Sequence, residues 1–267
     1  ITLHTKAAIL THVGGIPIDM NPIIEIANIK GIQIIEDCSH SPGANYHGEK
    51  IGRFGVVSAF STMSSKTLST GGAGGIVYTK DEEIYWKIRS HADRGKLFED
   101  GVFDAKRTDS YLSHGLNFNL DELSCAIGMS VLERLDNIIN NRNQIVEHIN
   151  TLLEQSQVVY PMRAIKNISP SYYFHTLVVD ETKLTVSKER FVEAVIAEGI
   201  NINPYYHEMA TDWEWLHPYT KNAFDTKNAK HFRDKSFNVL FNEKYSKKDA
   251  FDIVSAILKV EKEFIIL

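Results

Sequence analysis

The chain has 267 residues, 43% of them hydrophobic, with 29 Lys and Arg against 34 Asp and Glu for a net charge of −5. That length builds one large domain or two smaller ones, and the lack of a basic excess excludes a nucleic-acid footprint. No apolar run reaches membrane-spanning length, no signal peptide is evident, and two cysteines outside a CxxC spacing support neither a disulfide framework nor a metal site, so a cytoplasmic setting is the default.

Ala7-Ala8-Ile9-Leu10 is near-continuously apolar and predicts a buried strand. Ile1 is not Met and lies close before this strand, which reads as the start of a fragment. Asn21 and Pro22 predict an N-cap and a first-turn proline. The helix they open runs through Ile23, Ile24, Ile26, Ala27 and Ile29 and stops at Gly31. Ile32 to Ile35, Val56 to Phe60 and Gly75 to Thr79 read as further strands, and Asp81 as the cap of a helix reaching His91. Asn119 predicts a cap for a helix from Leu120 to Arg134, and a longer helical segment follows with Ile138, Ile139, Ile145, Ile149 and Leu152 at its apolar positions. Beyond it come a strand at Tyr172 to Val179, a helix at Ser187 to Glu198 ended by Gly199, and a last helix from Ser246. The fold class is therefore α/β, a mostly parallel sheet with flanking helices, followed by a smaller α+β domain. The expected domains are 1–135 and 136–267, joined through the long helix.

Three segments carry chemistry. In Ile34-Ile35-Glu36-Asp37-Cys38-Ser39-His40 an acid stands where a buried strand opens, the end at which open α/β sheets bind ligands. Asp37 is either satisfied by loop amides or faces a protonated ring nitrogen, and His40 is either a loop histidine or a hydrogen-bonding group beside it. In Ser61-Thr62-Met63-Ser64-Ser65-Lys66-Thr67-Leu68-Ser69-Thr70-Gly71-Gly72 one lysine lies among hydroxyls before a glycine-rich turn. Such composition is a common surface loop. It also suits a phosphate beside an amine kept partly neutral by burial. No P-loop spacing is present. In Gly115-Leu116-Asn117-Phe118-Asn119 and the following Ser124, Cys125, Ala126 and Gly128, small residues permit close helix packing, in the core or at a subunit interface.

In this order the segments resemble the DegT family of sugar aminotransferases, which have the type I fold of pyridoxal-phosphate enzymes. The matching residues are Glu36-Asp37-Cys38-Ser39-His40, Gly43-Ala44, Gly48-Glu49-Lys50-Ile51-Gly52, Phe60-Ser61 with Lys66 five residues later, and the glycine turn; Thr5-Lys6-Ala7-Ala8-Ile9, His12-Val13-Gly14-Gly15 and Asn117 fit upstream and downstream. The resemblance implies that Lys66 holds pyridoxal 5'-phosphate covalently and moves the proton, Asp37 holds the ring nitrogen, His40 contacts the phenolic oxygen and Ser61 binds phosphate. It implies that Asn117 reaches the phosphate of a neighbouring subunit's cofactor, hence a homodimer with shared active sites. The implied reaction carries an amino group from glutamate to a nucleotide-linked keto sugar. Lys66 opposes the related dehydratases, which carry His there. Asn119 stands where many members have Arg, Gly72-Ala73-Gly74-Gly75 where Gly-Glu-Gly-Gly is common, and Ser64-Ser65 where a Pro-containing pair is common. Tyr205, Tyr206 and His207 fall at the family's His-Tyr turn, as pocket or as core and rim. The resemblance also implies an upstream third with a Gly-Thr phosphate site and a ring stacked on the cofactor. Two alternatives remain: another type I enzyme, although neither Cys38 nor Cys125 suits a desulfurase, and a non-catalytic relative that keeps the fold.

Overall fold

The computed structural model describes residues 1–97, 111, 113–162, 164–206, 209–219 and 226–266. These form two compact units, one of residues 1–137 with 165–171, the other of 138–164 with 172–267.

The first unit is built on a four-stranded sheet in the order β1 (Ala7–Thr11), β2 (Gln33–Asp37), β5 (Val57–Ser61), β6 (Gly75–Tyr78). β1, β2 and β5 are parallel, and β6 is antiparallel to β5. A helix, α1 (Met20–Lys30), links β1 to β2, whereas β5 and β6 are joined by residues 62–74, which contain no helix, and run opposite ways. A second, three-stranded sheet sets β3 (Asn45–Tyr46) between β4 (Glu49–Lys50) and β8 (Ile168–Ser169). Helices α2 (Glu82–Ala92) and α3 (Glu122–Leu132) complete the unit, and α4 (Leu135–Leu153) leads into the second.

Several expectations are corrected. α1 is capped at Asp19, not Asn21, so Pro22 lies at its third residue, still within the turn where no amide hydrogen is needed. Gly31 ends it at φ 64°, the left-handed geometry that glycine adopts freely. α3 is capped by Asp121, whose carboxylate accepts the Ser124 N–H at 2.9 Å; an anion there also meets the positive helix end, and Asn119 is left outside. β1 is an edge strand with Ile9 70% exposed, so its apolar run is not a buried one. The core of this unit gathers Met20, Ala27, Ile34, Cys38 and Tyr46 on one side of the sheet.

The second unit is an antiparallel sheet, β10 (Ile202–Asn203), β11 (Ser236–Val239), β9 (His175–Val179), β7 (Val159–Pro161). α4, α5 (Lys188–Ala197) and α7 (Lys247–Phe264) bury Ile149, Phe191 and Ile257 against Leu177 and Phe237 of that sheet. α6 (Lys227–Lys235) precedes β11. Ser246 and Asp249 form a reciprocal capping box at the start of α7. Among the described residues no helix is long and apolar enough to cross a membrane.

Candidate functional site

The carboxyl ends of β1, β2 and β5 bring the sequence candidates together. Asp37 is the last residue of β2, opposite Thr11 of β1 and Ala59 of β5. Its Oδ1 accepts the Ser39 N–H at 3.0 Å and its Oδ2 accepts the Thr11 hydroxyl at 3.3 Å. Glu36 projects to the opposite face, as the pleat requires.

Lys66 is the last residue of a tight turn that begins at Met63, two residues after Ser61, the last residue of β5. Its own N–H closes that turn on the Met63 carbonyl at 2.8 Å. Two longer-range bonds fix the turn: the Thr62 N–H donates to the Gly74 carbonyl at 2.9 Å and the Ser64 N–H to the Gly72 carbonyl at 2.8 Å. Gly74 cannot carry a side chain there, since a Cβ would come within 2.6 Å of Thr62 Oγ1. The glycine run thus lets β6 return close against the lysine turn.

Lys66 is half-buried, and burial lowers the pKa of its amine, partly offset by the negative charge of Asp37. Burial and the positive charge of Lys66 lower the pKa of His40 to about 4, against the opposing pull of Asp37. The three groups therefore share one electrostatic neighbourhood. The Gly14 N–H donates to His40 Nδ1 at 3.3 Å. A backbone amide only donates, so Nδ1 is the accepting nitrogen and neutral His40 carries its hydrogen on Nε2.

Ser61 precedes the lysine turn, and its hydroxyl accepts the Met63 N–H at 3.4 Å. Asn117 is not drawn into the group. It pairs with Asp93 at the end of α2, and its side-chain oxygen accepts from Asn119 at 3.1 Å. In the second unit, Tyr205 lies under the Lys188 ammonium, 5.2 Å from ring centroid to nitrogen, and Tyr206 packs 5.9 Å from the Phe174 ring. His207 lies outside the described residues.

A layer behind the site went unassigned in the sequence. Glu36 is fully buried and accepts the N–H groups of Gly52, Phe54 and Gly55 at 2.9, 2.7 and 2.7 Å. Burial alone would push its carboxyl up, but His12 and these three amides outweigh it and hold the pKa below the usual range. His12, also fully buried, lies 3.3 Å from Glu36 through Nε2, while its Nδ1 accepts the Ile18 N–H at 3.2 Å. Both ring nitrogens are thereby engaged. With Cys38, whose thiol burial pushes up to about 12, the pair superficially resembles a metal-ligand set, but His12 Nδ1 and both Glu36 oxygens already accept protein N–H groups, and His12 Nε2 is turned to Glu36. The signal in the sequence was the acidic pair itself, with one member facing each side of the strand.

A separate groove of about 940 Å³ runs between β6, α2 and the segment before α3, lined by Val77, Tyr85, Ile88, Phe118 and Leu120. Neither Lys66, Asp37 nor His40 lines it.

The chain is similar to known proteins over most of its length. Residues 1–258 match the DegT/DnrJ/EryC1/StrS aminotransferase family. The chain is 27% identical over 274 residues to the spore coat polysaccharide biosynthesis protein SpsC of Bacillus subtilis, covering 98% of this chain and 68% of that protein. It is 29% identical over 227 residues to the GDP-perosamine synthase of Caulobacter vibrioides, covering 84% of this chain and 57% of the relative. Among solved structures, Helicobacter pylori PseC, an aminotransferase involved in the biosynthesis of pseudoaminic acid, superposes with a TM-score of 0.86 at 21% identity, covering 99% of this chain and 69% of that one. The chain belongs to the DegT/DnrJ/EryC1/StrS aminotransferase family.

Proposed function

We propose that this family member transfers an amino group from glutamate to the keto carbon of a nucleotide-linked sugar, using pyridoxal 5'-phosphate held at Lys66. The observation that carries the reading is the shared electrostatic neighbourhood of Lys66, Asp37 and His40 at the carboxyl ends of β2 and β5. The nucleotide-sugar acceptor is supported by likeness to a GDP-perosamine synthase.

The donor set suits the cofactor. An amine with a lowered pKa, a carboxylate, a neutral imidazole and a hydroxyl-rich turn match an aldehyde, a ring nitrogen, a phenolic oxygen and a phosphate. Thr67 Oγ1, next to Lys66, is buried with no hydrogen-bond partner among the described residues, which leaves an acceptor and a donor for a ligand. When bound, the cofactor supplies an electron sink for the carbon that loses its proton. Lys66 would take up that proton and return it, a task its lowered pKa favours. Asp37, fixed by Ser39 and Thr11, would hold a proton at the ring nitrogen. His40 would donate from Nε2 to the phenolic oxygen, and Ser61 would bind phosphate. Asn117 would act on a second subunit's site in a homodimer. Over the full reaction glutamate becomes 2-oxoglutarate and the sugar C=O becomes C–NH2.

The test is a panel of nucleotide-linked keto sugars incubated with glutamate, reading 2-oxoglutarate release. One substrate should turn over, Lys66→Ala should abolish turnover, and borohydride reduction should fix the cofactor on the peptide containing Lys66. A cofactor trapped on another lysine would sink the assignment.

A further inference from the structure

The histidine beside the lysine does not choose its own tautomer. His40 accepts the Gly14 N–H at Nδ1, so the choice is made by the position of one backbone amide. That amide belongs to the turn 13–15, where Gly14 and Gly15 hold φ of 69° and 84°. The turn is seated from both ends. At its near end, the His12 N–H donates to the Asp37 carbonyl at 3.1 Å and the His12 ring is engaged by Glu36 and Ile18. At its far end, Gly15 fits where a Cβ would come within 1.9 Å of the Ser171 oxygen and 2.8 Å of the His40 oxygen, and the Ser171 N–H donates to the Gly15 carbonyl at 2.9 Å.

The rings behind the turn have a defined hydrogen order. The Ile18 N–H can only donate, so His12 Nδ1 accepts and Nε2 carries the hydrogen that Glu36 receives. Glu36 in turn is anchored to the main chain at Gly52, Phe54 and Gly55. A continuous path thus runs from the 52–55 loop through Glu36 and His12 to the Gly14 amide and His40, every link of it within the first unit. The path does not stop at His12. It ends on a polar atom of a site residue.

We propose that the buried His12–Glu36 pair is a positioning device for His40: it seats the Gly14 amide on His40 Nδ1 and so keeps the Nε2 nitrogen as the hydrogen-bearing, donating one. Glu36 and His12 are positioning residues, since both act through the turn. The consequence for amino transfer rests on the functional reading above; the tautomer does not, and the two can fail separately. A locked Nε2–H tautomer with no turnover on any keto sugar would refute the function and leave this inference standing.

The experiment is long-range proton–nitrogen correlation on the chain labelled with ¹⁵N-histidine, with the His40 signals identified through His40→Gln. Wild type should show an unprotonated Nδ1 and a protonated Nε2. In His12→Phe, which removes the ring hydrogen bonds but keeps an aromatic of similar size, and in Glu36→Gln, the separation between the two His40 nitrogen shifts should fall by about half or more as the tautomers mix. His12→Gln keeps one donor for Glu36 and one acceptor for the Ile18 amide, and should restore the wild-type pattern. In the enzyme reaction His12→Phe should lower kcat on the order of tenfold, with KM changed far less, because the donor at the site is lost in the transition state and not in substrate binding. A wild-type His40 bearing its hydrogen on Nδ1 overturns the proposal without any variant. So does a folded His12→Phe protein whose His40 keeps the wild-type shifts.

Discussion

His40 should remain neutral far below the pH at which an ordinary histidine charges. Burial, followed by the positive charge of Lys66, holds its pKa near about 4, from a usual 6.5, with the opposing pull of Asp37 too weak to reverse it. The unfolded chain binds the proton near 6.5 and the folded one only near 4, so between those values the unfolded state holds more protons. The stabilising contribution is complete above about 6.5 and declines as pH falls toward about 4. A gap of about 2.5 pH units corresponds to about 3 kcal/mol in total, of which about 2 kcal/mol lies between roughly pH 7 and pH 5. The ring is 7% exposed, so solvent screening removes little of this. Proton NMR of the His40 ring against pH gives the midpoint directly. Denaturant midpoints of wild type and His40→Gln at the two pH values give the energy. Lys66→Ala removes the nearby positive charge, so the midpoint should rise yet stay below 6.5, because burial is the larger cause. A wild-type midpoint at or above 6.5, or one that Lys66→Ala leaves unmoved, would refute the claim that lysine and histidine share a site.

Three further outcomes are expected. His175, buried in the second unit with Nε2 on Asn150 Oδ1 at 2.7 Å, has its pKa lowered by burial to about 3; its stabilising contribution is likewise complete above about 6.5 and lost as pH falls, so His175→Gln should flatten the acid limb of the urea midpoint against pH, and an unchanged limb would count against it. Asp37→Asn should slow turnover by on the order of a hundredfold while cofactor affinity, read by absorbance titration, changes much less; equal losses in both would mean that Asp37 serves binding alone. Gly15→Ala must meet the Ser171 carbonyl at 1.9 Å from a φ of 84°, and should cost more than about 3 kcal/mol in chemical denaturation; a loss under 1 kcal/mol would mean the turn is not seated as described.

Much of the site was legible because its signals are local. A strand-end acid, a lysine at a fixed distance from a strand-end serine and a glycine turn are each written within a few residues, and sheet topology alone brings strand ends into one region. Helix boundaries followed the same logic where the cap chemistry was unambiguous, at Asp81, Ser187 and Ser246. They failed where two candidates competed. Asp19 precedes Asn21 and Asp121 follows Asn119, and in each case the aspartate holds the N-cap position, with a side-chain cap bond only at Asp121. The mostly parallel sheet was legible from strand–helix alternation, and its one antiparallel strand, β6, follows a connection that contains no helix.

What the sequence could not disclose was the second layer, because its partners are distant in the chain. Glu36 meets groups 16, 18, 19 and 24 residues away, and none of those spacings has a local signature. Yet the requirement itself was legible. A glutamate next to an aspartate on an interior strand must face the other way, and a fully buried carboxylate must find several donors or lose its charge. The glycines at 52 and 55 make that possible by bringing the loop backbone against the strand: a Cβ at Gly55 would lie 2.5 Å from the Ile34 oxygen, and one at Gly52 2.6 Å from the Phe60 ring. The amides of Gly52, Phe54 and Gly55 then point at one carboxylate. The Gly-Lys-x-Gly-like stretch before β5, read in sequence only as part of a resemblance, therefore has a physical task, which is to close a cage of amides around Glu36, one residue before Asp37 at the strand end.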